Sequence, residues 1–227
     1  MSYMWENFNI KPMHAETIVY RDGEFCPDLS TIENGKIEKH YDIPIHIIYV
    51  GEIAGKNRLD IDLNIPNQIV YLSVNIKNKK PAFFDIFIKN TGKNSKISGH
   101  VVMENFDNLT YNSIATHAAA NTGIFLQNKL IANHDTVSKL SGVAIIEKNC
   151  IECESNITFS AIADKSAKIE FTPAQRISSV PTSAGHSASI YTPKPIQIQF
   201  LRTAGLAGDE IDRVMRDAFI NDFSIFE

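Results

Sequence analysis

The stretch "RLDIDLNI" at residues 58–65 alternates without a break. Leu59, Ile61, Leu63 and Ile65 fall on one side of an extended chain, and Arg58, Asp60, Asp62 and Asn64 on the other. Successive side chains of a strand point to opposite faces, so this period of two predicts a half-buried β-strand. The pattern returns at once. "YLSVNIKN" (71–78) aligns Leu72, Val74 and Ile76, and "FFDIFIKN" (83–90) aligns Phe84, Ile86 and Ile88. Shorter β-like runs follow at 97–103, 109–114, 124–131, 142–146, 157–163 and 167–171, separated by Asn, Gly, Lys and Asp. No helical period intervenes between about 43 and 172, which argues against βαβ units. Many short strands leave a sandwich, a jelly roll or a parallel β-helix. Asn recurs just after the strand runs, at Asn78, Asn90, Asn105, Asn128, Asn133 and Asn149. Asn tolerates the left-handed backbone that tight solenoid corners need, and this favours a mainly β fold built as a parallel β-helix.

The flanks differ. Residues 1–22 are mixed, with Trp5, Phe8 and Met13 among polar residues, and read as a loose arm or a short helix. Asp22-Gly23 is a hairpin signal, and Pro27 stops any strand that follows it. At the other end, residues 195–223 read as a helical hairpin. Its first helix starts near Pro195 and stops at Gly205, a natural C-cap. Its second starts near Gly208 with Asp209 and Glu210 in the first turn, where the helix dipole favours acids. Ile211, Val214, Met215, Ala218, Phe219 and Phe223 then share one face. Three segments result: an N-terminal arm and hairpin (1–40), a β-helix core (41–194) and a C-terminal helical subdomain (195–227).

Composition narrows the function. The net charge of −4 opposes non-specific nucleic-acid binding, which needs clustered Lys and Arg. The second helix carries Asp209, Glu210, Asp212, Asp217 and Asp222 against Arg213 and Arg216, so a DNA major groove repels it. No apolar run is long enough to span a membrane, and the N-terminus lacks the pattern of a secretory signal. Three cysteines argue against a disulfide framework and for a reducing, cytoplasmic setting.

Chemical motifs are sparse. Cys150 and Cys153 form a lone C-x-x-C; on a strand, a separation of three would turn the thiols to opposite faces. Cys26 stands alone. The seven histidines form no metal motif. His46 alternates against Ile45 and Ile47 and reads as a surface or edge residue. His134 and Asp135 would point apart on a strand, and His117 lies among small residues that permit close packing. His186 sits in "TSAGHSASI" (182–190), a run of small residues. Asp60 and Asp62 share one strand face, as the solvated side of an amphipathic strand does, or as carboxylates of a β-solenoid hydrolase or lyase would.

Taken together, "FLRTAGLAGDEIDRVMRDAFINDF" (200–223), "IVYRDGEFCPDLS" (18–30), "PIHIIYV" (44–50) and the thirteen-residue step from Pro173 to His186 resemble the SufB/SufD proteins of iron–sulfur cluster assembly. Leu201, Arg202, Gly205, Leu206, Ala218 and Phe219 fall in register with the C-terminal signature of that family. The resemblance is thinnest at about 90–165, and the chain is shorter than usual members, which implies an abridged solenoid. Ala167 stands where SufB has its cysteine. Gly185 and Ser187 replace the acids that flank the SufB histidine. Val180 and Pro181 replace the acidic pair usual in SufD. The chain therefore resembles SufD more than SufB.

The resemblance implies a scaffold subunit rather than an enzyme. It implies a parallel β-helix that pairs with a SufB-like or identical subunit. It implies docking of a SufC-type ABC ATPase through the C-terminal helices, on Phe200, Leu201, Arg202, Gly205, Leu206, Val214 and Phe219. It also implies that His186 meets iron or a transient iron–sulfur cluster at the subunit interface. The alternatives are a carbohydrate-active solenoid enzyme, or an interaction module with no metal chemistry.

Overall fold

The computed structural model describes residues 15–221. Within them the chain winds as a β-solenoid of about six turns, ending in two helices. Apart from β2, even-numbered strands build one sheet and odd-numbered strands the other. Sheet A runs β13-β11-β9-β7-β5-β3-β1-β2 and sheet B runs β12-β10-β8-β6-β4. The strands of sheet A are β1 (Glu16–Arg21), β2 (Glu24–Phe25), β3 (Ile45–Glu52), β5 (Ile69–Asn78), β7 (Lys96–Asn105), β9 (Gly123–Ala132), β11 (Cys153–Ala163) and β13 (Thr182–Tyr191). Those of sheet B are β4 (Gly55–Leu63), β6 (Ala82–Asn90), β8 (Asn108–His117), β10 (Val137–Ile146) and β12 (Lys168–Ile177). Only β1 and β2 pair antiparallel; every other described pairing is parallel.

Because partners lie in strict register, inward side chains stack into columns. Ile18, Ile47, Leu72, Gly99, Leu126 and Ile157 form one such column in sheet A. Leu59, Ile86, Ser113, Gly142 and Pro173 form one in sheet B. The two sheets bury these faces against each other, which is why the alternation at 58–65 recurs in each rung. Glycine enters where the facing layer is large. A Cβ on Gly142 would lie 2.7 Å from the Phe159 ring. Aromatic contacts run through the interior, from Tyr20 to Tyr49, Phe84, Tyr111, Phe159 and Phe171.

The corners differ from the expectation. Of the six Asn residues expected to turn left-handed, Asn149 does so. Asn78, Asn90, Asn105 and Asn128 instead lie buried, and their side-chain amides donate to carbonyls, in three of them across to the next rung. Asn67, Asn94 and Asn121, with φ of 61°, 62° and 57°, form a repeating series of left-handed corner residues. Asn67 and Asn94 are 27 residues apart and hydrogen-bonded through their side chains. Asn94→Val should lower stability by about 1–2 kcal/mol in denaturant unfolding, while Asn94→Gly should stay within about 0.5 kcal/mol of wild type, because only the β-branched residue resists positive φ.

The N-terminal segment belongs to the solenoid. Residues 16–21, read as arm or helix, form β1, which lies parallel to β3. Asp22 and Gly23, with φ of 52° and 90°, make the expected hairpin. Ile18, Ile32 and Ile37 share the main core, so no break in packing occurs near residue 40. Trp5, Phe8, Met13, Asp222 and Phe223 lie outside the described residues. The stretch 90–165 supplies β7 to β11 as full-length strands, so its rungs are complete.

Helix α1 spans Pro195–Thr203 and α2 spans Gly208–Asn221. Gly205 stands at φ 89° just past α1, as a left-handed cap should. Helix α2 lies on the outer face of sheet A, with Ile220, Met215 and Phe219 against Val102, Ile131, Ile162 and Tyr191. No described helix is long and apolar enough to cross a membrane.

Candidate functional site

The two ends of the solenoid are finished differently. At the first rung, the segment after β2 folds back along β1. The amides of Thr31 and Ile32 donate to the Thr17 carbonyl, and Ser30 Oγ accepts from Val19 N–H. Ile32 and Ile37 enter the core from this segment, closing that end. At the last rung, β12 and β13 are the outermost strands of their sheets. A strand edge leaves a row of backbone donors and acceptors ready for another chain. β13 carries no charged residue and no proline over its ten residues, so the usual devices that blunt an edge are missing.

His186 belongs to this end. It pairs in register with Ile157, which is 1% exposed and faces the core. His186 therefore continues the inward column that begins at Ile18, yet it is exposed, because among the described residues no further rung lies above it. The same face of β13 carries Ala184, Ala188 and Ile190, in register with Ser155, Phe159 and Ala161. β12 contributes Phe171, Pro173, Gln175 and Ile177 in register with inward residues of β10. The last rung is thus a largely apolar floor that carries Gln175 and one imidazole and is left open among the described residues. The stretch 182–190 forms a strand despite its Ser, Ala and Gly content, because β11 supplies the register and every hydrogen-bond partner on one side.

The residues expected to bind a partner separate into two groups. Phe200 is 70% exposed and, with Ile196 one turn earlier at 67%, makes an apolar patch on α1. Helix α1 buries no side chain. Arg202 and Gly205 are exposed, and Leu201, Leu206 and Val214 are half-buried. Phe219 faces the chain's own body. It packs on sheet A, and its carbonyl accepts a 2.7 Å hydrogen bond from Lys129 Nζ.

Other titratable groups sit where the sequence did not suggest. His46 is 7% exposed rather than on the surface, and its Nε2 lies 2.8 Å from Ser73 Oγ. Burial lowers its pKa. His134 and Asp135 meet, at 3.1 Å, because Asp135 is a left-handed corner residue and not part of a strand. Asp164 and Ser166 from the next corner join them, with Ser166 Oγ 2.7 Å from His134 Nδ1. This cluster is solvent-exposed and ties two corners together.

The C-x-x-C stretch is also a turn, with Asn149 and Glu152 left-handed, so both thiols are buried beside Ile146 instead of facing apart. Next to them, Cys153 Sγ lies 3.3 Å from Thr122 Oγ1, which lies 2.8 Å from His117 Nδ1. Thr122 Oγ1 also lies 3.1 Å from the Ala119 carbonyl. His117 Nε2 is buried without a hydrogen-bond partner. Desolvation lowers the His117 pKa to about 4.

Asp60 is held by Arg58 at 2.6 Å, and the residues in register with Asp60 and Asp62 on the next rung are Phe87 and Lys89. No row of carboxylates builds up there. Among the described residues, no group of three or more His, Cys, Asp or Glu is placed to hold a metal ion. At the open rung a single chain offers one imidazole, so a metal cluster there would be cargo needing ligands from a second chain.

The chain matches no protein-family model and no curated protein.

Proposed function

We propose that this protein is a SufD-like scaffold subunit for iron–sulfur cluster assembly, which pairs end to end through its open last rung and docks an ABC ATPase of the SufC type through its C-terminal helices. The observation that carries the reading is the uncapped rung. An inward-facing, largely apolar surface and the bare edge of β13 are costly to leave in water, and a second solenoid end satisfies both at once. The closed first rung argues for a pair and against a fibre, because head-to-tail stacking needs two open ends. The partner is a SufB-like subunit or a second copy of this chain. His186 lies on the inward face that such a partner would cover, beside Ala184 and Ala188, whose small side chains let another backbone approach. The apolar pair Ile196 and Phe200 on α1 supports the ATPase dock.

Three measurements test this reading. Sedimentation of the purified chain, alone and with a SufB-like subunit, should give a two-solenoid particle; a monomer under both conditions would refute the pairing. Co-expression with a SufC-type ATPase should give a stable complex that Phe200→Asp weakens at least about tenfold, as loss of a buried aromatic anchor does. Iron and sulfide bound by the whole assembly should fall in His186→Ala. Unchanged loading would remove the metal role and leave a pairing module.

A further inference from the structure

Helix α2 is seated on sheet A by a contact that opposes itself. The favourable part is apolar: Ile220, Met215 and Phe219 cover Val102, Ile131 and Ile162. Set against it is the desolvation of two charged side chains, Lys129 and Glu104, although each keeps partners in the seat. Lys129 projects from the outer face of β9 and is 3% exposed. Its Nζ donates to the carbonyls of Phe219 and Ile220 at 2.7 and 3.3 Å, in the last turn of α2, and lies 5.4 Å from the centre of the Phe219 ring. A cation suits the negative end of a helix dipole, so the seat is specific to one register of the helix. Glu104, on β7, faces Arg216 of α2 at 3.3 Å. Burial nevertheless raises the Glu104 pKa, with Arg216 pulling the other way. When α2 lifts, both charges regain water, which offsets part of the apolar loss.

The connection is equally loose. Helix α1 buries no side chain, and the four-residue link from α1 to α2 contains Gly205 and runs into Gly208, the first residue of α2. Tyr191, the last residue of β13, joins α1 through a 2.7 Å bond to Gln197 and packs beside α2.

We propose that α2 is a releasable latch on the outer face of sheet A. Seated, it hides Phe219, Met215 and Ile220. Released, it offers that amphipathic face to the protein that takes the helical hairpin, and uncovers Val102, Ile131 and Ile162. The identity of that protein as an ATPase rests on the preceding reading; the latch itself does not.

Hydrogen exchange followed by mass spectrometry on the full chain decides it. Amides of residues 211–221 should exchange through an opening that leaves β7, β9 and β11 protected. Ile220→Ala should speed exchange in that helix at least about tenfold with the strands unchanged, since truncating a buried Ile weakens its contact by more than that factor. Exchange of α2 and β9 together, in one event, would overturn the latch. So would an Ile220→Ala chain in which strands and helix loosen alike. The isolated chain gives the answer, so a missing ATPase complex and a missing latch are separate outcomes.

Discussion

Ala188→Lys should convert the paired protein into a monomer. The residue lies on the inward face of β13, in register with Phe159, which is 1% exposed. In a single chain the new ammonium faces water and costs nothing, so the fold should stand. In an end-to-end pair it is trapped over an apolar floor. An unpaired buried charge costs about 3–5 kcal/mol, or a loss of affinity of more than a hundredfold. Where the wild type pairs with itself as proposed, sedimentation should then report one chain of 25.4 kDa in place of twice that mass. Ser189→Lys, one residue along and on the outward face, is the control and should leave the particle intact. If both variants behave alike, the inward floor is not the contact.

The second large effect is on stability in acid. His117 is fully buried, and burial moves its pKa from an ordinary 6.5 to about 4. Between those values the unfolded chain binds a proton that the folded chain refuses, so stability rises with pH across the window. It is complete above about 6.5 and falls as the pH drops towards about 4. A shift of that size corresponds to about 3 kcal/mol. His46 and His100 are displaced in the same direction by burial and add to the trend. His117→Leu should remove the His117 share. Urea midpoints measured from pH 7 to pH 4 should then fall less steeply for the variant by about 3 kcal/mol. At pH 7 the variant should be no less stable than wild type, because it removes an unpartnered buried nitrogen. The site accepts such a residue: the column holding His117 also holds Leu63, Asn90 and Ile146. Parallel urea curves would show that His117 is not the group that titrates.

Several local features were legible in the chain. The alternation at 58–65, 71–78 and 83–90 specified strands and which residues face the core, since period two is a property of the extended backbone itself. Asp22-Gly23 specified its hairpin, and Gly205 and Gly208 the bounds of the helices, because these depend on φ preferences of single residues. The histidines were less legible. His46 and His134 were judged by strand alternation alone. His46 is buried on the outer face of its strand, where its ring meets Ser73. For His134 and Asp135 a left-handed corner turned two neighbours together. The repeat Asn67, Asn94 and Asn121 was the available signal for the corners, and it was obscured by other Asn residues that serve as buried amide donors.

By itself, then, the sequence determined a mainly β chain of short half-buried strands with two C-terminal helices, since alternation and caps are written residue by residue. The family resemblance, through the step from Pro173, singled out His186 as the histidine to follow. Tertiary structure decided what that position means. Only the register of β13 on β11 turns His186 inward, and only the lack of another rung leaves it exposed. Register is set by pairing between residues 29 apart, such as Ile157 with His186, and local preference does not encode a contact at that distance.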